Sequence, residues 1–418
     1  MTESDVSAFL YFGYVPRWPD DLASDPLIVV RRESPARVPD EAEAASPARE
    51  KELVAEGVSA LLAAFEEGAA ESHLVPLSGG FDSRAVLAGV LTRRAPAQVQ
   101  TITWGLPGTH DFELAPAVAA AAGVRHERLD LLSLRWTTEA LVEVARQCGR
   151  PLPFFDCHAP TQVWSRLAPG TLYWSGYMGD SLSGSHLPRK GYPTWPEAVA
   201  KFIKRNRIVR SVGLARPGFR PRDLLPQQPW FDAAFLDYYD QIDYAIRQQC
   251  YVGPSVIPPG HACQAPFLQP AWLRFILGVP RGCRLRQHLY RKILQQAFPR
   301  LFHLPSTRTY GLRADAPAWR LAWSRALHRA RRYARRLFPR GPWGFRQSCK
   351  TLDYDVFLRT RDDFQALVRG NLQDLQRRGL VPWVDIDGLW ASHQRGEANH
   401  GTALHLLASL EIALKAGL

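Results

Sequence analysis

Leu74-Val75-Pro76-Leu77-Ser78-Gly79-Gly80-Phe81-Asp82-Ser83-Arg84-Ala85-Val86-Leu87-Ala88-Gly89-Val90 is the stretch that decides the fold. An apolar run ends at Ser78, two glycines follow, and a helical pattern begins near Asp82. The pattern predicts a strand, a tight turn and a helix N-terminus. Such a corner is an anion site, because free backbone N–H groups and the positive end of the helix dipole converge on one point. Ser78 and Ser83 add hydroxyl donors, and Asp82 places a carboxylate where a phosphate-bound cation would sit. The stretch has neither the Gly-Lys-Ser/Thr end of a Walker A loop nor a Gly-x-Gly-x-x-Gly spacing. Glycine corners also occur without ligands. The residues on both flanks, Leu77 included, tip the reading to a nucleotide phosphate.

The surroundings repeat the same architecture. Residues 51–67 carry a helical pattern, Val99 to Trp104 a second strand, Asp111 to Ala122 a helix, and Arg125 to Leu131 a third strand. Strands and helices alternating at this spacing predict an α/β fold with a parallel sheet and helical crossovers. Ligands on such sheets bind at the carboxyl ends of strands, where Ser78 and Trp104 both fall, so Trp104 is a candidate to pack near an adenine. From about residue 190 strand signals become rare. Helical patterns broken by proline then dominate, at 233–250, 269–278, 287–298, 318–338, 353–379 and 402–416. Three parts are therefore expected: a short segment 1–50, a nucleotide-binding domain 51–190 and a mostly helical region 191–418.

Composition narrows the class. With 418 residues, 46% hydrophobic and 22% charged, the chain reads as globular and long enough for two domains. No apolar run is long enough to span a membrane, and the acidic start Met1-Thr2-Glu3-Ser4-Asp5 lacks a basic n-region. The six cysteines are scattered without a Cys-x-x-Cys pair, as in reduced cytoplasmic proteins. His288, His303 and His393 show no metal-ligand spacing. The net charge of +12 is uneven: Arg325, Arg329, Arg331, Arg332, Arg335, Arg336 and Arg340 crowd one amphipathic segment. Its readings are a solvated face or contact with anionic lipid, nucleic acid or an acidic partner. No nucleic-acid-binding module accompanies it.

Residues 172–186 read Leu-Tyr-Trp-Ser-Gly-Tyr-Met-Gly-Asp-Ser-Leu-Ser-Gly-Ser-His, another apolar strand ending in a glycine turn, now with Asp180. Asp82 and Asp180 at neighbouring strand ends suit Mg²⁺ shared with ATP phosphates. Ser78-Gly79-Gly80-Phe81-Asp82-Ser83 resembles the pyrophosphate loop (PP-loop) of ATP pyrophosphatases. With Gly176-Tyr177-Met178-Gly179-Asp180, it resembles the synthetase domain of the asparagine synthetase family, which includes β-lactam synthetases and lasso-peptide cyclases. The resemblance covers roughly residues 50–310.

It implies a HUP-like (adenine nucleotide alpha hydrolase) PP-loop domain, with ATP and Mg²⁺ as cofactors. It implies nucleotide contacts from Leu77, Ser78, Gly79, Gly80, Asp82, Ser83, Trp104, Gly176 and Arg308, and metal ligands Asp82 and Asp180. Tyr290-Arg291-Lys292-Ile293-Leu294 resembles the segment that supplies a pyrophosphate-contacting lysine, so Arg291 and Lys292 are both candidates. Pro266-Phe267-Leu268 resembles the family's Pro-Phe-Leu-Asp signature, with Gln269 in place of Asp.

Two departures bear on the substrate. The glutamine-dependent members carry an N-terminal cysteine on a domain of about two hundred residues, a domain's worth of chain. Here Thr2 and a short segment precede the synthetase part, with Phe12-Gly13-Tyr14-Val15-Pro16 resembling a remnant. Nitrogen is then expected from free ammonia, a separate glutaminase or an amine. Tyr177 replaces the family's Glu, as in β-lactam synthetases, where a tyrosine assists deprotonation of an amine; a packed turn aromatic is the other reading. The expected activity is an AMP- and pyrophosphate-forming amide ligase acting on a small-molecule or peptide carboxylate. Intramolecular closure of a precursor peptide or β-lactam, and a nucleotide-binding scaffold without activity, are the alternatives.

Overall fold

The computed structural model describes residues 1–17, 25–33, 46–66, 68–313, 316–337 and 353–418. Arg340 and Cys349, and most of the Pro/Glu/Ala-rich stretch before Glu50, lie outside the described residues. Five strands form one sheet: β1 (Ser72–Pro76), β2 (Val99–Gly105), β3 (Arg125–Asp130), β4 (Thr171–Trp174) and β5 (Cys263–Gln264). Their order is β3-β2-β1-β4-β5 and every pairing is parallel. The register pairs Leu74 with Gln100 on one side and with Tyr173 on the other.

Alternation along the strands creates two cores. Leu74, Ile102 and Tyr173 face one, while Val75, Val99 and Trp174 face the other. The first core is closed by α1 (Glu3–Phe12) and by the helices Thr138–Cys148 and Phe154–Trp164. C-terminal helices Asp362–Arg378 and Gly401–Lys415 also close it. The second is closed by α2 (Pro47–Ala63), α3 (Asp82–Val90), α4 (His110–Ala122), α5 (Pro270–Gly278) and α6 (His288–Ala297). An α/β domain with helices on both sheet faces and a helical C-terminal region is therefore observed, as the alternation predicts.

Details differ from the sequence expectation, each for a local reason. The edge strand β5 comes from the region that reads as helical, and at two residues it is too short to leave a periodicity. The pattern at 353–379 is two helices, Tyr354–Thr360 and Asp362–Arg378, because Arg361 adopts extended backbone (φ −123°). The pattern at 233–250 is a helix from Tyr238 to Val256 whose middle, Asp243–Val252, is wound as a π-helix. Phe12 to Pro16 closes α1 and buries Tyr14, whose ring stacks on Tyr251 at 5.5 Å. The basic segment is the helix α7 (Ala318–Leu337).

Candidate active site

The strand order fixes where a ligand can sit. The chain leaves β1 toward β2 and β3 on one side, whereas β4 and β5 lie on the other. The carboxyl ends of β1 and β4 thus flank the point where the winding reverses, which opens a crevice in doubly wound sheets. Both glycine turns fall there. Residues 77–83 follow β1 and residues 175–180 follow β4.

The first turn is built from its own hydroxyls. Ser78 N–H donates to Ser83 Oγ at 3.0 Å, the two hydroxyls meet at 2.9 Å, and Gly80 N–H donates to Ser78 Oγ at 3.2 Å. Leu77 is held from both sides: its N–H donates to Ile102 O at 2.8 Å and its carbonyl accepts from Thr103 Oγ1 at 2.5 Å. Gly79 N–H donates to Asp111 Oδ1 at 3.0 Å, and a Cβ at Gly79 would meet Thr307 Cγ2 at 2.7 Å. Glycine there lets the 306–312 loop approach, and Thr307 N–H donates to Gly79 O at 2.9 Å. The α3 N-terminus, which follows the first turn, has no side-chain cap.

Behind the turn stands a buried cation. The Arg84 side chain is fully buried, and its guanidinium donates to Leu301 O, Leu304 O and Pro305 O at 3.0, 3.1 and 2.7 Å. Burial lowers its pKa to about 10, which leaves it charged at neutral pH. Arg84 therefore fixes the root of the 306–312 loop and adds positive potential beneath the phosphate position.

The second turn packs directly on the first. A Cβ on Gly176 would lie 3.3 Å from Ser83 N, and one on Gly179 would lie 2.8 Å from Asp82 Oδ1 and 2.7 Å from the Phe267 ring. Asp180, the next residue, accepts from Ser185 Oγ at 3.2 Å and lies 3.7 Å from His186 Nε2. His186 Nδ1 is 3.0 Å from Asp243 Oδ2. Burial alone would lower the His186 pKa, but the Asp243 hydrogen bond and the charges of Asp243 and Asp180 raise it. Tyr290 donates to Asp82 Oδ1 at 2.8 Å, and burial, then the charges of Asp82 and Asp180, push its phenol well above its ordinary range. Asp82 bonds this phenol and the Asp180 charge acts on it, and Mg²⁺ takes one or two carboxylates and fills its shell with phosphate oxygens and water. Among the described residues no group of three or more His, Cys, Asp or Glu could hold an ion by itself.

Not every residue named from sequence meets at this point. Leu77, Ser78, Gly79, Gly80, Asp82, Ser83 and Gly176 do, and Asp180 follows Gly179 with its carboxylate on Ser185. Tyr290, rather than its neighbours, touches Asp82: Arg291 is exposed, and Lys292 Nζ pairs with Glu50 at 2.6 Å. Trp104 is half-buried near the end of β2, packed against the first core. Arg308 is exposed, and its charge acts on Tyr290. Gln269, in the place of the signature Asp, donates to Gln264 Oε1 at 2.7 Å.

Tyr177 lines a cavity of about 410 Å³, shared with Asp25, Tyr244, Gln249, Gly253 and Leu268. Burial, then the charges of Asp25 and Asp243, push the Tyr177 phenol well above its ordinary range, so it is neutral and a hydrogen-bond donor at physiological pH. Asp25 accepts from Tyr244 Oη at 3.1 and 2.9 Å and from Gln249 Nε2 at 2.9 Å. Arg84, Asp111, Asp25 and Tyr244 were not legible as site residues, since no motif carries them. Tyr290 could have been found from the phase of α6, whose buried positions are Leu289, Tyr290, Ile293 and Leu294.

Residues 70–235 match the family model described as asparagine synthase. Among curated relatives, the 7-cyano-7-deazaguanine synthase of Cupriavidus taiwanensis is 26% identical over 224 residues, 51% of this chain and 90% of its own. That of Ralstonia nicotianae is 26% identical over 226 residues, 51% of this chain and 91% of its own. With the PP-loop at the winding reversal and the second turn packed on it, residues 70–235 are similar to an asparagine synthase domain of the PP-loop ATP pyrophosphatase type.

Proposed function

We propose that the chain adenylates a carboxylate and transfers the acyl group to ammonia or an amine, forming an amide, AMP and pyrophosphate. The observation that carries this reading is the contact between the two turns. The Asp82 carboxylate, next to the uncapped α3 N-terminus, lies against Gly179, the residue that precedes Asp180.

A substrate carboxylate oxygen attacks the α-phosphorus, and the bond to the pyrophosphate oxygen breaks. Asp82 and Asp180 would hold Mg²⁺, which would neutralise charge on the departing phosphates. The α3 amides and the buried Arg84 favour the same charge from the protein side. The amine nitrogen then attacks the acyl carbon, the bond from that carbon to the AMP phosphate oxygen breaks, and the nitrogen's proton passes to the departing phosphate or to water.

The cavity behind Tyr177 is where we place the acceptor, because Tyr177 and Leu268 adjoin the second turn and Phe267. Tyr177 there acts as a donor and wall, since a phenol raised by burial is a poor base. Nitrogen arrives as free ammonia, from a separate glutaminase, or as an amine on a small molecule or precursor peptide. No helix among the described residues is long and apolar enough to cross a membrane, and a cytoplasmic setting supplies the ATP.

The test is carboxylate-dependent exchange of labelled pyrophosphate into ATP, run over a panel of amino acids and peptides. Asp82→Ala is expected to abolish it. Exchange unchanged in that variant, or ATP binding with no exchange for any carboxylate, contradicts the reading, and the second result favours a scaffold.

A further inference from the structure

The helix α7 presents the wrong face to solvent for an ordinary surface helix. Among its described side chains the half-buried ones are Leu321, Ser324 and His328, spaced three and four apart. This face docks on the 306–312 loop: the Ser324 hydroxyl donates to Tyr310 O at 3.4 Å, and the His328 ring lies 5.1 Å from Tyr310 and 5.2 Å from His110. Trp319, Trp323, Leu327 and Tyr333 lie on the outside, 66, 70, 40 and 65% exposed. They are the large apolar residues that the described part of the molecule leaves most open, apart from Leu132. With about 3.6 residues per turn, Trp319, Trp323, Ala326, Leu327, Ala330 and Tyr333 form one continuous outward stripe.

Charge narrows what can cover that stripe. Between Ala318 and Leu337 the sequence has seven arginines and no acidic residue. By helical spacing the arginine positions fall beside and behind the stripe, not within it. A second copy would bring two such helices together with no carboxylate between them, a repulsive pairing. Duplex nucleic acid would meet tryptophans first, whereas phosphate binding needs arginines in the centre of the contact face. A bilayer fits: the apolar stripe enters the boundary between headgroups and acyl chains, tryptophan and tyrosine sit at the interface, and flanking guanidiniums reach lipid phosphates.

We propose that α7 is a membrane-surface helix that docks the protein on anionic phospholipid. It lies along the bilayer plane and spans nothing. Because its inner face sits on the loop that bonds Gly79, a bilayer under α7 lies beside the nucleotide crevice. The proposal stands on the outward stripe and its charge, independently of the ligase reading.

The experiment is co-sedimentation of the full chain with vesicles of phosphatidylcholine alone and of phosphatidylcholine mixed with phosphatidylglycerol. Binding is expected to the mixed vesicles and to weaken with added salt. The double variant Trp319→Ala/Trp323→Ala is expected to bind them about tenfold or more weakly, while retaining pyrophosphate exchange and its melting transition. Four results overturn the proposal. They are no binding to anionic vesicles, equal binding to both vesicle types, binding unaffected by loss of the two tryptophans, and a tryptophan-dependent dimer or complex with duplex DNA or an acidic peptide in place of vesicle binding.

Discussion

At the scale of single residues, the site depends on what is missing as much as on what is present. Gly179 has no side chain, and that lets the second turn rest on the Asp82 carboxylate with the Phe267 ring behind it. A methyl group would meet both at less than contact distance, so either the carboxylate or the turn must move. Misplacement on that scale costs about a hundredfold in rate, while overpacking costs about 1–3 kcal/mol in stability. Gly179→Ala is therefore expected to lose most pyrophosphate exchange and to keep a cooperative melt at lower temperature; full exchange would show that the contact does not matter. The glycines and both aspartates could be read from the sequence because each motif is continuous. Segment similarity points to a cation, Arg291 or Lys292, whereas Tyr290 is the residue on Asp82. Helix phase, which buries Tyr290 and leaves Arg291 outside, points to the phenol.

At the scale of elements, titratable groups tie the C-terminal helices to the helix Phe154–Trp164. His405, on the helix Gly401–Lys415, stacks on Tyr354 at 4.0 Å, and Tyr354 donates to the buried Asp156. Burial lowers His405, His126 and His393 to about 4, from an ordinary 6.5. A depressed histidine stabilises the fold above its unfolded pKa, and that contribution is lost as pH falls from about 6.5 toward 4. Burial raises Asp156 and Asp240 to about 6, from an ordinary 3.8. These two act oppositely: their contribution is full below about 3.8 and lost as pH rises through 6. Thermal melts across this window should show His405→Gln less acid-sensitive than wild type and Asp156→Asn more so; the reverse order would contradict the assignment. Elements were legible where one face is polar, as in α2 and α6. Phe154–Trp164 is buried on almost every side and has Pro160 inside, so it leaves no stripe to read. The π-wound Asp243–Val252 likewise shifts the phase that a sequence reading assumes.

At the scale of the whole molecule, the parallel sheet turns two distant motifs into one site. Order β3-β2-β1-β4-β5 puts the ends of β1 and β4 side by side, so turns a hundred residues apart meet without a direct connection. That much follows from alternating strands and helices. The cavity behind Tyr177 does not, because Asp25 and Tyr244 are 219 positions apart and neither lies in a motif. Nor does the outward stripe of α7, whose amphipathic pattern is plain in the sequence but whose docked face is set by Tyr310 and His110. The central claim is that the two turns form a single site for ATP and Mg²⁺. Its most direct test is calorimetric titration with α,β-methylene-ATP, which cannot release pyrophosphate, with and without Mg²⁺. The wild-type chain is predicted to bind the analogue only with Mg²⁺, and Asp82→Ala and Asp180→Ala are each predicted to lose that binding. Mg²⁺-dependent binding undiminished in both variants would contradict the account.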